Sequence, residues 1–259
     1  MSESWGYGVD NGPVHWADKF PVAKDGRRQS PIEIKNAETK HDPALTELIL
    51  SYDPSTAKSL VNNGHSVQVD FDDSEERSVL SGGPIQGKYR LRQFHLHWGA
   101  RDGHGSEHVV DGQAYSAELH LVHWNADKYE SFELAAQAPD GLAVIGVFLQ
   151  VAKHNPALKR LISSLDCVQE KCLRIEFNDF NPHTLLPPSL QFWTYLGSLT
   201  TPPLYESVIW IVLKDPIHIS KEQIARFRTL QFTGPDHLMK DNFRPPQPLN
   251  NREVLRNFQ

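Results

Sequence analysis

Cysteine, excess positive charge and long apolar runs are all scarce in this sequence, and each shortage removes a class of protein. Only two cysteines occur among 259 residues, Cys167 and Cys172. Their C-x4-C spacing matches no redox or zinc pattern, and two thiols build no disulfide framework. A formal charge of −6 and a pI near 6.1 argue against a nucleic-acid or anionic-membrane surface, which needs a basic patch. The longest apolar run, Leu142 to Leu149 (LAVIGVFL), falls far short of the ~20 residues that span a bilayer. The opening MSESWGYGVDNG shows no basic segment followed by an apolar stretch, so no signal peptide is expected and a cytoplasmic protein is. Internal repeats, low-complexity tracts and linker-like shifts are also missing, which points to one domain over residues 1–259.

What is present suits a strand-rich globule. Hydrophobic residues make up 39% and charged residues 22%, near the globular norm. Pro and Gly cut the chain into short pieces. Strands are predicted at 66–71, 89–98, 116–124, 142–151, 173–177 and 206–213. The runs GLAVIGVFL and SVIWIVL are apolar on both faces, so both are predicted to be central strands. Helices look few and short. Asn155-Pro156 supplies an N-cap and a first-turn proline for a helix with Leu158, Leu161, Ile162 and Leu165 inward. Ser220-Lys221-Glu222-Gln223 reads as a capping box for a helix reaching about Leu230, and 130–138 adds a third short one. The terminal RPPQPLNNR reads as an extended strap rather than a proline-rich ligand.

Histidine is concentrated. Six of the 13 fall between positions 95 and 123. In QFHLHWG, Gln93, His95 and His97 share one face of a strand while Phe94, Leu96 and Trp98 share the other. In SAELHLVHW, Glu118, His120 and Val122 share a face opposite Leu119, Leu121 and His123. A histidine pair in one strand is by itself a weak metal signal, because buried histidines satisfied by the backbone are common. If the two strands are neighbours, His120 completes a cluster of three, and three neutral nitrogens with an open fourth position suit a catalytic zinc. Gln93 and Glu118, two residues from a ligand on the same face, are placed to orient the imidazoles. His123 faces away and reads as structural; His104 and His108 lie near a Gly/Asp-rich turn and are not read as ligands. An HxH followed by a later histidine also occurs in cupin-like metal enzymes on a jelly roll, but those need a glutamate ligand soon after HxH.

Longer motifs decide between these readings. QFHLHWG, GSEHVVDG (105–112), ELHLVHWN (118–125) and GSLTTPP (197–203) together resemble the α-class carbonic anhydrases, cytosolic animal branch. The resemblance runs from WGYG (5–8) and NGPVHW (11–16) through RQSPIEI (28–34) to NFRPPQPL (242–249). It implies a mostly β fold: a single domain on a large twisted, mostly antiparallel sheet with short peripheral helices, and cis prolines at Pro31 and Pro203.

The resemblance also implies a mechanism, residue by residue. His95, His97 and His120 would hold Zn²⁺ with a water in fourth position, which as hydroxide attacks CO2 to give bicarbonate. Thr200, its hydroxyl proton given to Glu107, would orient that hydroxide. Val122, Val144, Leu199, Val208 and Trp210 would form the dry CO2 pocket, and Thr201 would contact substrate or anionic inhibitors. His65 would shuttle the proton to buffer, since imidazole titrates near neutrality, with Tyr7, Asn63 and Gln68 around the connecting waters. Asn242 would orient a zinc ligand through its backbone carbonyl. A monomer binding no nucleic acid or membrane, and sensitive to sulfonamides, is expected. A non-catalytic relative would have lost zinc ligands, and none is lost here. The sequence departs from the family at Leu196, where proline usually follows the tyrosine, at Gln68 for a common Asn, and at Phe243 for a common Trp.

Overall fold

Strand alternation, read above from side-chain type, is what divides this molecule into two cores. The computed structural model describes residues 5–259. Ten strands form the spine of a 13-stranded sheet, in the order Arg174–Glu176, Ala57–Asn62, Val67–Phe71, Tyr89–Trp98, Ala117–Trp124, Leu142–Val151, Val208–Leu213, Phe192–Gly197, Leu255–Arg256 and Lys40–His41. Most pairs are antiparallel, but Leu142–Val151 runs parallel to Val208–Leu213, and Leu255–Arg256 parallel to Lys40–His41. The sheet is therefore mixed. The six strands predicted from sequence are all present, and the two runs apolar on both faces lie side by side in its middle.

Phe94, Leu96, Trp98, Leu119, Leu121, Ala143 and Ile145 point into the larger apolar core. Val122, Val144, Val208, Trp210 and Val212 point the opposite way, into a second core. The histidines of QFHLHWG emerge on this second side. Apolar packing on one face thus holds rigid the two strands that carry polar groups on the other.

The helices are short, as predicted. Asn155 accepts from the Ala157 amide and caps a 3-10 turn, Pro156–Leu158, that continues as the α-helix Lys159–Ser164. Ser220 and Gln223 close a reciprocal capping box on Lys221–Phe227; the following Leu230 is buried, although the helix has ended. The expected third helix is the single turn Phe132–Ala135. Residues 244–252 form no helix or strand and lie along the domain: Gln247 donates to the Pro31 carbonyl, and Arg252 to those of Gln29 and Leu196. The Ser30-Pro31 and Pro202-Pro203 bonds are cis. Both cysteines are free and exposed. Among the described residues no helix is long and apolar enough to cross a membrane.

Candidate metal centre

The two histidine strands, Tyr89–Trp98 and Ala117–Trp124, are antiparallel neighbours, and their register sets His95 directly opposite His120. Directly opposed side chains share a face, so His120 joins His95 and His97. A register shift between Leu91 and Gln93 precedes the cluster and puts Val122 opposite Gln93. One ring nitrogen of each histidine lies within 4.8 Å of those of the other two.

The second nitrogen of each ring is committed to an oxygen. His95 Nδ1 donates to Gln93 Oε1 at 2.7 Å, and His97 Nδ1 to the Asn242 carbonyl at 2.7 Å. His120 Nε2 donates to Glu118 Oε2 in a very short contact. Those acceptors fix the tautomers and leave the lone pairs of His95 Nε2, His97 Nε2 and His120 Nδ1 unprotonated. His97 Nε2 is buried with no hydrogen-bond partner among the described residues. Burial lowers all three imidazole pKa values, His97 to about 3, so the rings stay neutral at pH 7. Three neutral, converging nitrogens, one of them orphaned, fit a tetrahedral divalent cation with one position left open.

Glu118 anchors a deeper network. Its Oε1 accepts from the His108 amide and its Oε2 from His108 Nδ1, both at 2.9 Å. His108 Nε2 meets the Tyr195 hydroxyl at 2.6 Å, and Ser30 Oγ lies 2.9 Å beyond it. Burial would raise the Glu118 carboxyl, but the His108 and His120 imidazoles reverse this and bring it below the ordinary range. A second trio, His108, Glu118 and His120, also comes close enough to hold an ion. Its facing atoms are already joined by hydrogen bonds, so it serves as support for His120. Sequence reasoning placed His108 in a turn and missed Ser30 and Tyr195 in this role. No local pattern marks them, because the network joins segments 87 and 165 residues apart.

Glu107 is fully buried. Its Oε1 accepts from the Arg244 amide at 2.8 Å, while Oε2 has no hydrogen-bond partner among the described residues and lies 3.4 Å from His97 Nε2. Burial and then the Glu118 carboxylate push its pKa well up, against a side-chain hydrogen bond to Thr200 and the Arg244 amide. Thr200 is buried and Thr201 half-buried beside it. Val122, Val144, Val208 and Trp210 pack together in the second core, with Leu199 against them, and the Trp210 ring lies 4.8 Å from that of His120. Leu196 sits in the strand Phe192–Gly197, paired with Ile209, and its side chain is exposed.

His65 follows Gly64, whose φ of +84° suits a glycine in the turn Asn62-Asn63-Gly64. Its ring stacks on Trp5 with centroids 3.6 Å apart, and burial takes its pKa down to about 4. Near-neutral titration is therefore not a property of this pose. Asn63 Oδ1 accepts from the His65 and Ser66 amides, while its Nδ2 faces Gln68 Oε1 at 3.4 Å. Tyr7 packs on Trp16 and Phe232, and burial raises its hydroxyl well above the usual range. Asn242 also donates from Nδ2 to the His65 carbonyl, which ties the turn to the histidine cluster.

Comparison with known proteins agrees with this geometry. Residues 11–258 match the family model for eukaryotic-type carbonic anhydrase. The chain is 54% identical to human carbonic anhydrase 7 over 257 residues, 98% of this chain and 97% of that one. It is 54% identical to the mouse carbonic anhydrase 7 over 258 residues, covering the same shares. Match and geometry together make the chain a member of the eukaryotic-type carbonic anhydrase family.

Proposed function

We propose that this chain, acting as one domain over residues 1–259, hydrates CO2 reversibly to bicarbonate and a proton with Zn²⁺ held by His95, His97 and His120. The observation that carries the reading is the division of labour within each imidazole, one nitrogen tied to oxygen and the other turned into the cluster. When bound, zinc would acidify a water so that hydroxide is available near pH 7, as in carbonic anhydrases as a class.

The protein's own groups supply orientation, dryness and proton exit. Gln93, Glu118 and Asn242 hold the three rings at fixed angles. Glu107, its Oε1 held by the Arg244 amide, accepts a hydrogen bond from the Thr200 hydroxyl, leaving the Thr200 lone pairs to accept from the nucleophile. Val122, Val144, Leu199, Val208 and Trp210 exclude water from the space where CO2 sits. Thr201 meets bicarbonate. The proton leaves through water ordered by Tyr7, Asn63 and Gln68 to His65, which passes it to buffer. Stacked on Trp5, His65 is a poor proton acceptor at pH 7, so it accepts the proton from a more hydrated position off that ring. The chain works as a cytoplasmic monomer whose partners are CO2, bicarbonate and buffer.

Stopped-flow CO2 hydration, run with and without a zinc chelator or a sulfonamide and paired with metal analysis, tests the proposal. One zinc per chain and activity lost on chelation are expected. Stoichiometric zinc with no hydration would instead mark a binding protein.

A further inference from the structure

The histidine face of the sheet carries a charged group that the mechanism above leaves unused. Asp70 lies on Val67–Phe71, two residues after Gln68, with both side chains half-buried on the histidine side. The register pairs Gln68 with His95 and Asp70 with Gln93. Gln68 Nε2 donates to Asp70 Oδ1 at 2.7 Å, and Arg174 Nη1 donates to Asp70 Oδ2 at 2.6 Å. Ser59 Oγ also reaches Oδ2, at 3.4 Å.

These contacts define a direction. The Asn63 amide is fixed because its Oδ1 is taken by two backbone donors, which leaves only N–H groups to offer toward Gln68. Gln68 must therefore present Oε1 to Asn63 and its own N–H groups the other way. A carboxylate accepts only, so Asp70 permits that orientation and no other. Arg174 holds the carboxylate in place from the far side.

We propose that Asp70 is a positioning residue for proton exit: it locks the Gln68 amide, so that the waters between the histidine cluster and His65 meet a fixed set of donors and acceptors. The inference rests on the shuttle reading of His65 given above. In Asp70→Asn the new amide can turn either way. Gln68 then flips freely, and half of its orientations set two donors face to face at Asn63. Asp70→Glu keeps an acceptor-only group within reach.

The test is CO2 hydration in weak buffer, comparing the parent with Asp70→Asn, Asp70→Glu and His65→Ala. Asp70→Asn should lower buffer-limited kcat about two- to tenfold, the rate equivalent of one net hydrogen bond, with kcat/KM unchanged. Added imidazole should restore the rate, and Asp70→Glu should retain most of it. A second readout needs neither zinc nor activity. In the metal-free protein, the Gln68 side-chain amide should give one hydrogen-bond-shifted proton resonance by NMR, lost in Asp70→Asn and kept in Asp70→Glu. Unchanged kcat in Asp70→Asn, where His65→Ala is slow, overturns the inference; so does a fall in kcat and kcat/KM together. If His65→Ala costs nothing, the shuttle reading falls, and the resonance alone decides whether Asp70 orients Gln68.

Discussion

His120 and His123 stand three residues apart on one strand, both fully buried and both with pKa values lowered by burial. Neither burial nor titration tells them apart. Bonding does. His123 spends both nitrogens on the protein, Nε2 on the Tyr52 hydroxyl at 2.6 Å and Nδ1 on the Ala143 carbonyl at 3.2 Å. His120 spends one, on Glu118, and keeps Nδ1 for the cluster. A histidine is a candidate ligand when its hydrogen-bond account leaves a lone pair open, whatever its solvent exposure.

The largest expected difference is in metal content. His120→Ala should lose stoichiometric zinc and CO2 hydration together, whereas His123→Ala should keep one zinc per chain and lose stability by roughly 3 kcal/mol, as a truncated buried ring does. Metal analysis with urea unfolding separates the two; a zinc-free His123→Ala protein would erase the distinction.

Acid should act on the core histidine as it does on the other buried imidazoles, each of whose native pKa is lowered by burial. The native His123 pKa is about 4, against about 6.5 in the unfolded chain. As pH falls below 6.5, the unfolded chain binds a proton that the native ring refuses, so stability drops until pH nears 4 and then levels. This one group accounts for about 3 kcal/mol of that loss. The check is unfolding free energy against pH for the metal-free parent and His123→Gln, whose curve should be shallower between pH 4 and 6.5. Parallel curves would mean that His123 already protonates in the native state.

On the histidine side, Gln93→Ala removes an orienting oxygen but no candidate ligand. Zinc affinity should fall about 10- to 100-fold with stoichiometry intact, read by competition with a chelating dye. Tyr52→Phe is the matching core change. It strips one hydrogen bond from His123 and should cost about 1 kcal/mol of stability with zinc affinity unaltered. Should Tyr52→Phe weaken zinc binding, the two faces of the strand are coupled and the comparison fails.

Much of this contrast was legible in the sequence because alternation along a strand is local. Phe94, Leu96 and Trp98 against Gln93, His95 and His97 needed only the two-residue period. The caps at Asn155 and Ser220 were readable for the same reason. Adjacency of the two histidine strands was an assumption that the register then met. The longer-range pieces left no local trace: Arg244 meets Glu107 across 137 residues, and Tyr195 meets His108 across 87. Apart from the family motif nothing beside Glu107 in the sequence marks it for burial, and the structure places it wholly inside. Sequence type could not foresee either that His65 would be buried, stacked on Trp5, and that burial would lower its pKa, since that depends on where two loops meet.

The bond from His97 to the Asn242 carbonyl spans 145 residues. A ribosome making this chain would thus deliver all three histidines long before the carbonyl that fixes the middle one. Until that late segment emerges and docks, His97 is free to rotate, and its Nδ1 proton has no assigned partner. The cluster is therefore finished from the far end of the chain, and its three nitrogens become a preorganised set only late in biosynthesis.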